Sequence, residues 1–170
     1  QELALLMGSE KPLSEEQVEV AGTPYIKVAY ADKDLYYNAN GQLAMIIVTK
    51  PVCEDALGNA LNAYKTAYQV DVKKSKEKDI KAGIASINQK YTTDAFNAYQ
   101  LGELSKASEL FALAADAMNT APLSQVDTNA IYNAGFTAWM AQDYQTAKKH
   151  FEECLGYGYY YDGGEVFAKL

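Results

Sequence analysis

Asn97-Ala-Tyr-Gln-Leu-Gly-Glu-Leu-Ser-Lys-Ala-Ser-Glu-Leu-Phe111-Ala-Leu-Ala114 aligns without a gap on Thr137-Ala-Trp-Met-Ala-Gln-Asp-Tyr-Gln-Thr-Ala-Lys-Lys-His-Phe151-Glu-Glu-Cys154, at an offset of 40 residues. Ala107 falls on Ala147, Phe111 on Phe151, Leu104 on Tyr144 and Glu103 on Asp143. A weaker copy lies upstream in Ala60-Leu-Asn-Ala-Tyr64-Lys-Thr-Ala67-Tyr-Gln-Val-Asp71, 47 residues before Ala107. Each copy has a small residue, an aromatic four later and a small residue three after that. These positions share one helical face. Alanine at a crossing lets two helix backbones approach closely, and the aromatic fills the wedge beside it. One helix pair cannot bury its own apolar face, so pairs must stack.

Apolar periodicity extends this reading along the chain. Helices are expected at about Thr23–Tyr37, with Pro24 in the first turn, and at about Glu54–Val70. A long helix at about Ser75–Leu101 follows from Ile80, Ile84, Ile87, Tyr91, Ala95 and Ala98. Leu104–Met118, Thr128–Ala141 with Asp127 as N-cap, and Tyr144–Leu155 stopped by Gly156 complete the set. Asn38-Ala-Asn-Gly41 breaks the first helix. Leu43–Thr49 has the composition of a strand, but with no partner strand in this reading it becomes an inserted loop ending at Pro51. Leu3, Leu5, Leu6 and Met7 read as a helix end closed by Gly8, and 165–170 as a partial helix, so the chain is expected to be a piece of a longer protein. The reading predicts an all-α fold. One domain spans 1–170, with repeats at about 22–71, 75–119 and 127–156.

Composition removes several functions. The 170-residue chain is 49% apolar with a net charge of −7, and its fifteen basic side chains are all lysine. Without arginine it lacks the bidentate fork that favours phosphate, and no basic footprint for nucleic acid is present. No apolar run approaches the ~18 residues that would suggest a spanning helix, and Gln1-Glu2-Leu3 does not open a signal peptide. Lys73, Lys74, Lys76, Lys78 and Lys81 read as a solvated face, with a docking patch for an acidic partner as the sharper alternative.

Chemistry-bearing groups are sparse. His150 is the only histidine, which excludes catalytic schemes that need two. His150 and Cys154 stand at i and i+4, a spacing that can hold a metal, but no further ligands cluster with them. Cys53 and Cys154 are read as free, small, buried side chains. Glu15-Glu16 and Glu152-Glu153 are adjacent on the chain and diverge on a helix. Asp32-Lys-Asp34 lacks the glycine and closing glutamate of a calcium loop. No catalytic residue, metal or cofactor is expected.

Tyr91, Ala95, Gly102-Glu103-Leu104, Ala107, Phe111 and Ala114, then Ile131, Gly135, Gln142-Asp143-Tyr144, Ala147, Phe151 and Cys154, resemble the consensus of the tetratricopeptide repeat family. Gln142 replaces the turn glycine, Ile131 the first aromatic and Cys154 the last alanine. The resemblance implies a right-handed α-α superhelix of about three antiparallel helix pairs, with partial repeats at the ends. Its first helices line a concave face that takes a partner peptide. On that register Thr92, Phe96, Tyr99, Tyr132, Asn133, Phe136 and Trp139 are the candidate partner-binding residues. Core packing is the competing role for Phe96 and Phe136. The family's clamp for a C-terminal carboxylate uses lysine and asparagine. Thr92, Phe96 and Asn133 stand at the matching positions and only Asn133 fits, so that partner class is not expected. Similar arrays occur in bacterial envelope and secreted proteins, which favours a periplasmic or secreted location.

The expected function is a non-catalytic scaffold or adaptor that presents an aromatic-lined groove to a protein or peptide. One alternative is a glycan or small-ligand module built on Tyr157, Tyr159, Tyr160 and Tyr161. The other is a regulatory segment of a larger enzyme.

Overall fold

The computed structural model describes residues 11–51 and 53–159. Four strands precede five helices over these residues, so the all-α superhelix expected from the repeats is corrected to a mixed fold. The chain divides into two compact units, Gln1–Glu54 and Asp55–Leu170. The expected helix ends at 3–8 and 165–170, and Tyr160 and Tyr161, lie outside the described residues.

The first unit carries β1 (Ser14–Val20), β2 (Thr23–Ala29), β3 (Lys33–Tyr37) and β4 (Leu43–Val48). They form one antiparallel sheet in sequential order. The helix expected at Thr23–Tyr37 is therefore β2 and β3. Tyr25, Ile26, Val28, Leu35, Tyr36 and Tyr37 are β-branched or bulky side chains that suit a pleated surface. Ala21 and Gly22, at φ 49° and 77°, supply the two positive-φ residues of a tight hairpin turn. Pro24 lies beyond the last β2–β3 pair, Ile26 with Tyr37, so its missing N–H takes nothing from that ladder. Asn38–Gly41, read as a helix break, is the β3–β4 turn. The Asn38 side-chain oxygen accepts from the N–H groups of Asn40 and Gln42, each at 3.0 Å.

The supposed loop over Leu43–Thr49 is chiefly β4. The partner missing from the sequence reading is β3, with Asp34 opposite Ile47, Leu35 opposite Ile46 and Tyr36 opposite Met45. Leu35, Tyr36 and Met45 are buried. Lys27 reaches Asp34 at 3.1 Å and Glu16 at 3.7 Å across the strands. The hydrogen bond to Asp34 raises the lysine pKa, against a smaller lowering by burial.

The second unit carries α1 (Ala56–Val70), α2 (Glu77–Gln100), α3 (Leu104–Asn119), α4 (Thr128–Met140) and α5 (Tyr144–Gly156). Of the first expected repeat, about 22–71, only the second helix exists, as α1. It packs against α2, where the Tyr64 ring lies so close to Gly83 that a Cβ there would overlap it.

The 40-residue offset between α2–α3 and α4–α5 reappears in backbone hydrogen bonds. At the end of α2, Gly102 N–H donates to Tyr99 O at 3.0 Å and Glu103 N–H to Ala98 O at 2.9 Å. At the end of α4, Gln142 N–H donates to Trp139 O at 3.0 Å and Asp143 N–H to Ala138 O at 2.9 Å. Both are Schellman caps, which need a left-handed residue just past the helix. Gly102 has φ 77° and Gln142 has φ 64°. A third such cap ends α5, where Tyr159 N–H donates to Cys154 O and the left-handed residue is Gly158, not Gly156. Asp127 and Asp143 cap α4 and α5 through side chains that accept from Ala130 and Thr146 N–H.

Burial follows the same register. Ala107 and Ala147, Phe111 and Phe151, Ala114 and Cys154, and Ala98 and Ala138 are all buried. Ala95 and Ala98 of α2, Ala107 and Phe111 of α3 and Ala134 of α4 form one cluster. The buried Ser108 hydroxyl donates to Ala134 O at 2.8 Å and ties α3 to α4. A larger cluster runs from Leu61 through Ile84, Tyr91, Ala114 and Ile131 to Phe151 and Cys154.

A side chain in the left-handed region costs ~1–2 kcal/mol, and glycine avoids most of it. Gln142→Gly is therefore expected to raise the urea-unfolding free energy by about 1 kcal/mol, and Gly102→Ala to lower it by a similar amount.

Candidate functional site

The feature of the helical unit that departs from an ordinary solvated surface is α4. Its sequence, Thr-Asn-Ala-Ile-Tyr-Asn-Ala-Gly-Phe-Thr-Ala-Trp-Met, contains no charged side chain, although 22% of the whole chain is charged. Most of α4 is buried, which accounts for much of this, but its exposed positions Asn129, Trp139 and Met140 are uncharged too. Depletion of charge with enrichment in aromatics and methionine is the composition of an interface core.

The rings of α4 run in a row along the helix because Tyr132, Phe136 and Trp139 recur at four- and three-residue steps. Tyr132 stacks on Phe136 at 6.3 Å and 13°, and Phe136 on Trp139 at 6.1 Å and 30°. Tyr132 also meets Phe151 of α5 at 5.8 Å. Exposure rises along the row from 7% at Tyr132 to 40% at Trp139. Tyr132 is thus part of the core, Phe136 is intermediate, and Trp139 with the neighbouring Met140 forms the outer end. Asn133 is half-buried, and its carbonyl accepts from the Thr137 hydroxyl at 2.7 Å.

The equivalent positions of α2 show the same gradient. Thr92 is half-buried, while Phe96 and Tyr99 stand 46% and 37% exposed. Phe96 and the buried Phe111 meet edge to face at 5.0 Å and 86°, so the inner side of Phe96 is packed while the rest of it faces water. By repeat register Phe96 corresponds to Phe136 and Tyr99 to Trp139. On α2 and at the start of α3, Lys90 pairs with Asp94 and Lys106 with Glu103. Met140, half-exposed beside Trp139, was not singled out in the sequence. Its signal was an apolar side chain where the earlier repeat has Gln100.

The tyrosine loop divides. Tyr157 is exposed, whereas Tyr159 meets Tyr132 at 6.0 Å and donates its hydroxyl to Asn129 Oδ1 at 2.9 Å. A recess among α3, α4 and α5, lined by Asp116, Asp127, Glu153 and Tyr157 among others, has a volume of ≈ 20 Å³. That is room for about one water, far below a sugar ring. In the sheet unit a more open recess of ≈ 300 Å³ is bordered by Gln17, Pro24, Tyr25, Ile26, Asn38 and Ala39. It carries no charged side chain, and the Asn38 amide is already held in the β3–β4 turn.

The remaining sequence candidates lie elsewhere. Lys74 donates to Tyr68 O at 3.0 Å and sits 3.5 Å over the Tyr68 ring. Lys76 pairs with Asp79 and Lys81 with Glu77, so much of the lysine run is neutralised locally. Among the described residues no group of three or more His, Cys, Asp or Glu side chains could hold a metal. No helix there is long and apolar enough to cross a membrane.

The two cysteines differ. Cys154 is fully buried, with Sγ 3.9 Å from Thr128 O, and burial followed by the nearby Glu153 charge pushes its pKa up to about 11. It is a thiol, not a thiolate, at neutral pH. Cys53 is free and exposed, which corrects the expectation that both are buried.

No known protein family matches this chain, and neither a curated protein nor a solved structure matches it.

Maleimide added to the native chain at pH 7 is expected to label Cys53 and spare Cys154. Both should react in denaturant. Mass spectrometry of tryptic fragments reads the two sites separately.

Proposed function

We propose that the helical unit is a non-catalytic interaction module, an adaptor that takes an uncharged, apolar-anchored segment of a partner protein. The observation that carries this reading is the half-exposed aromatic pair at equivalent places in two consecutive repeats: Phe96 and Tyr99 on α2, Phe136 and Trp139 on α4. α4 carries no charged side chain and neither does the 95–100 end of α2, although the rest of α2 is charged. An isolated exposed ring is ordinary. A pattern reproduced at 40-residue spacing in helices whose buried positions are also reproduced supports a shared role for the exposed ones.

The inner sides of the rings are fixed by packing, Phe96 on Phe111 and Phe136 on Tyr132. A partner therefore meets rings whose rotamers are already restricted, and less entropy is lost on binding. Large amphipathic aromatics are the side chains that most often dominate such contacts. With little net charge near the rings, affinity depends on apolar burial and responds weakly to salt. The resemblance of the helix pairs to tetratricopeptide repeats agrees with this use of first-helix residues.

Random-peptide display against the full chain tests the reading. Selected peptides should share apolar anchors without flanking charge. Their affinity should fall at least tenfold in Trp139→Ala and in Phe96→Ala variants that keep native circular dichroism, and should change less than threefold between ~50 and ~500 mM salt. Peptides that bind both variants like the parent chain would remove this face from consideration.

A further inference from the structure

His150 lies on the inner face of α5 with its side chain nine-tenths buried. Its Nδ1 has no hydrogen-bond partner. The Glu153 carboxylate, one turn further along α5, stands 3.7 Å from Nδ1, beyond hydrogen-bonding reach. On the α4 side the helices press together. A Cβ added at Gly135 would lie 3.2 Å from the His150 Cβ and 2.9 Å from the Phe151 ring. The His150 Cβ thus sits at the α4–α5 contact, and the Nδ1 of its ring is buried without a hydrogen bond.

The charged groups that face it are few. Glu153 and Lys149 come from α5 and Asp116 from α3, while α4 brings no charged side chain and only the phenol of Tyr132 as a titratable group. Burial lowers the imidazole pKa from its ordinary value. Lys149 adds to that, and the Glu153 and Asp116 carboxylates oppose it without reversing it.

We infer that His150 is an acid-sensitive clasp between α5 and α4. Neutral, it packs against Gly135 beside Phe151 and keeps the two helices in contact. Protonated, it requires solvation that the closed contact does not give, and α5 loosens from α4. The folded pKa lies below the unfolded one, so the unfolded or opened state takes up the proton first. Stability from this group is complete above pH ~6.5 and is lost as pH falls from there toward the folded pKa. Each pH unit within that window raises the opening equilibrium constant by up to ~10-fold.

The chain isolates the effect. His150 is its single histidine, so no other side chain with an ordinary pKa changes charge between pH 5 and 8. Cys154, on the same helix, titrates far above this range. The inference does not depend on the proposed partner face, since both readouts below are made on the chain alone.

Two measurements on the full chain test it. In proton NMR the one imidazole should titrate with a midpoint below 6.5. In urea unfolding followed by Trp139 fluorescence, the unfolding constant should rise between pH 6.5 and 5.5 in the native sequence, by no more than about fivefold, and stay flat in His150→Gln. An imidazole midpoint at or above 6.5, or an equal pH response in His150→Gln, overturns the clasp. If His150→Gln fails to fold, the NMR midpoint of the native sequence decides alone.

Discussion

The helical unit depends on close approach between helices at alanine and glycine. Ala95 and Ala98 of α2, Ala107 of α3 and Ala134 of α4 are buried together with Phe111 in one cluster. Gly135, Ala138 and Ala147 with Phe151 repeat the arrangement between α4 and α5. Small side chains at a crossing remove the spacer that would hold the backbones apart, and the ring then fills the wedge that opens on either side. Ordinary close packing makes this arrangement intolerant in both directions, since a larger residue at the crossing clashes and a smaller one in place of the ring leaves a void. The Schellman caps at Gly102 and Gln142 hold each pair at a fixed turn, so the crossing is met at the same register twice.

From that constraint the outer face follows. With Ala98 and Ala138 committed to the core, helical geometry turns Phe96 and Tyr99, and Phe136 and Trp139, toward the outside at equivalent heights. Phe111 and Tyr132 support Phe96 and Phe136 from within. A helix of thirteen residues without a charge is stable here because most of it is packed against α3 and α5.

The helical half was legible because its signal is local and repeated. Ala107 and Ala147, Phe111 and Phe151, and the Asp127 cap could each be placed from spacing alone, and the helix boundaries followed within about two residues. The sheet was not legible, because its signal is pairwise. Leu43–Val48 reads as a strand without a partner only while Lys33–Tyr37 is read as part of a helix. Correcting one of them supplies the other, as Leu35 opposite Ile46 and Tyr36 opposite Met45 show. Pro24 misled for a related reason. A first-turn helix position and the open end of a strand both tolerate a residue with no N–H. In the candidate face, Trp139, Tyr99 and Phe96 were identified at positions that retain exposure, while Tyr132 shared their register but is covered by Phe151 and Tyr159. Sequence spacing gives the side of a helix and not the depth of what packs on it.

The most direct test of this account is the free energy of urea unfolding for Ala107→Leu and Ala147→Leu, set beside Ala63→Leu at an exposed helical position. Overpacking at a closed crossing costs ~1–3 kcal/mol or more, whereas an exposed substitution stays within ~0.5 kcal/mol. The account predicts that both crossing variants lose at least ~1 kcal/mol while the control does not. If either crossing accepts leucine as readily as Ala63 does, close approach at alanine is not what holds the helical unit together.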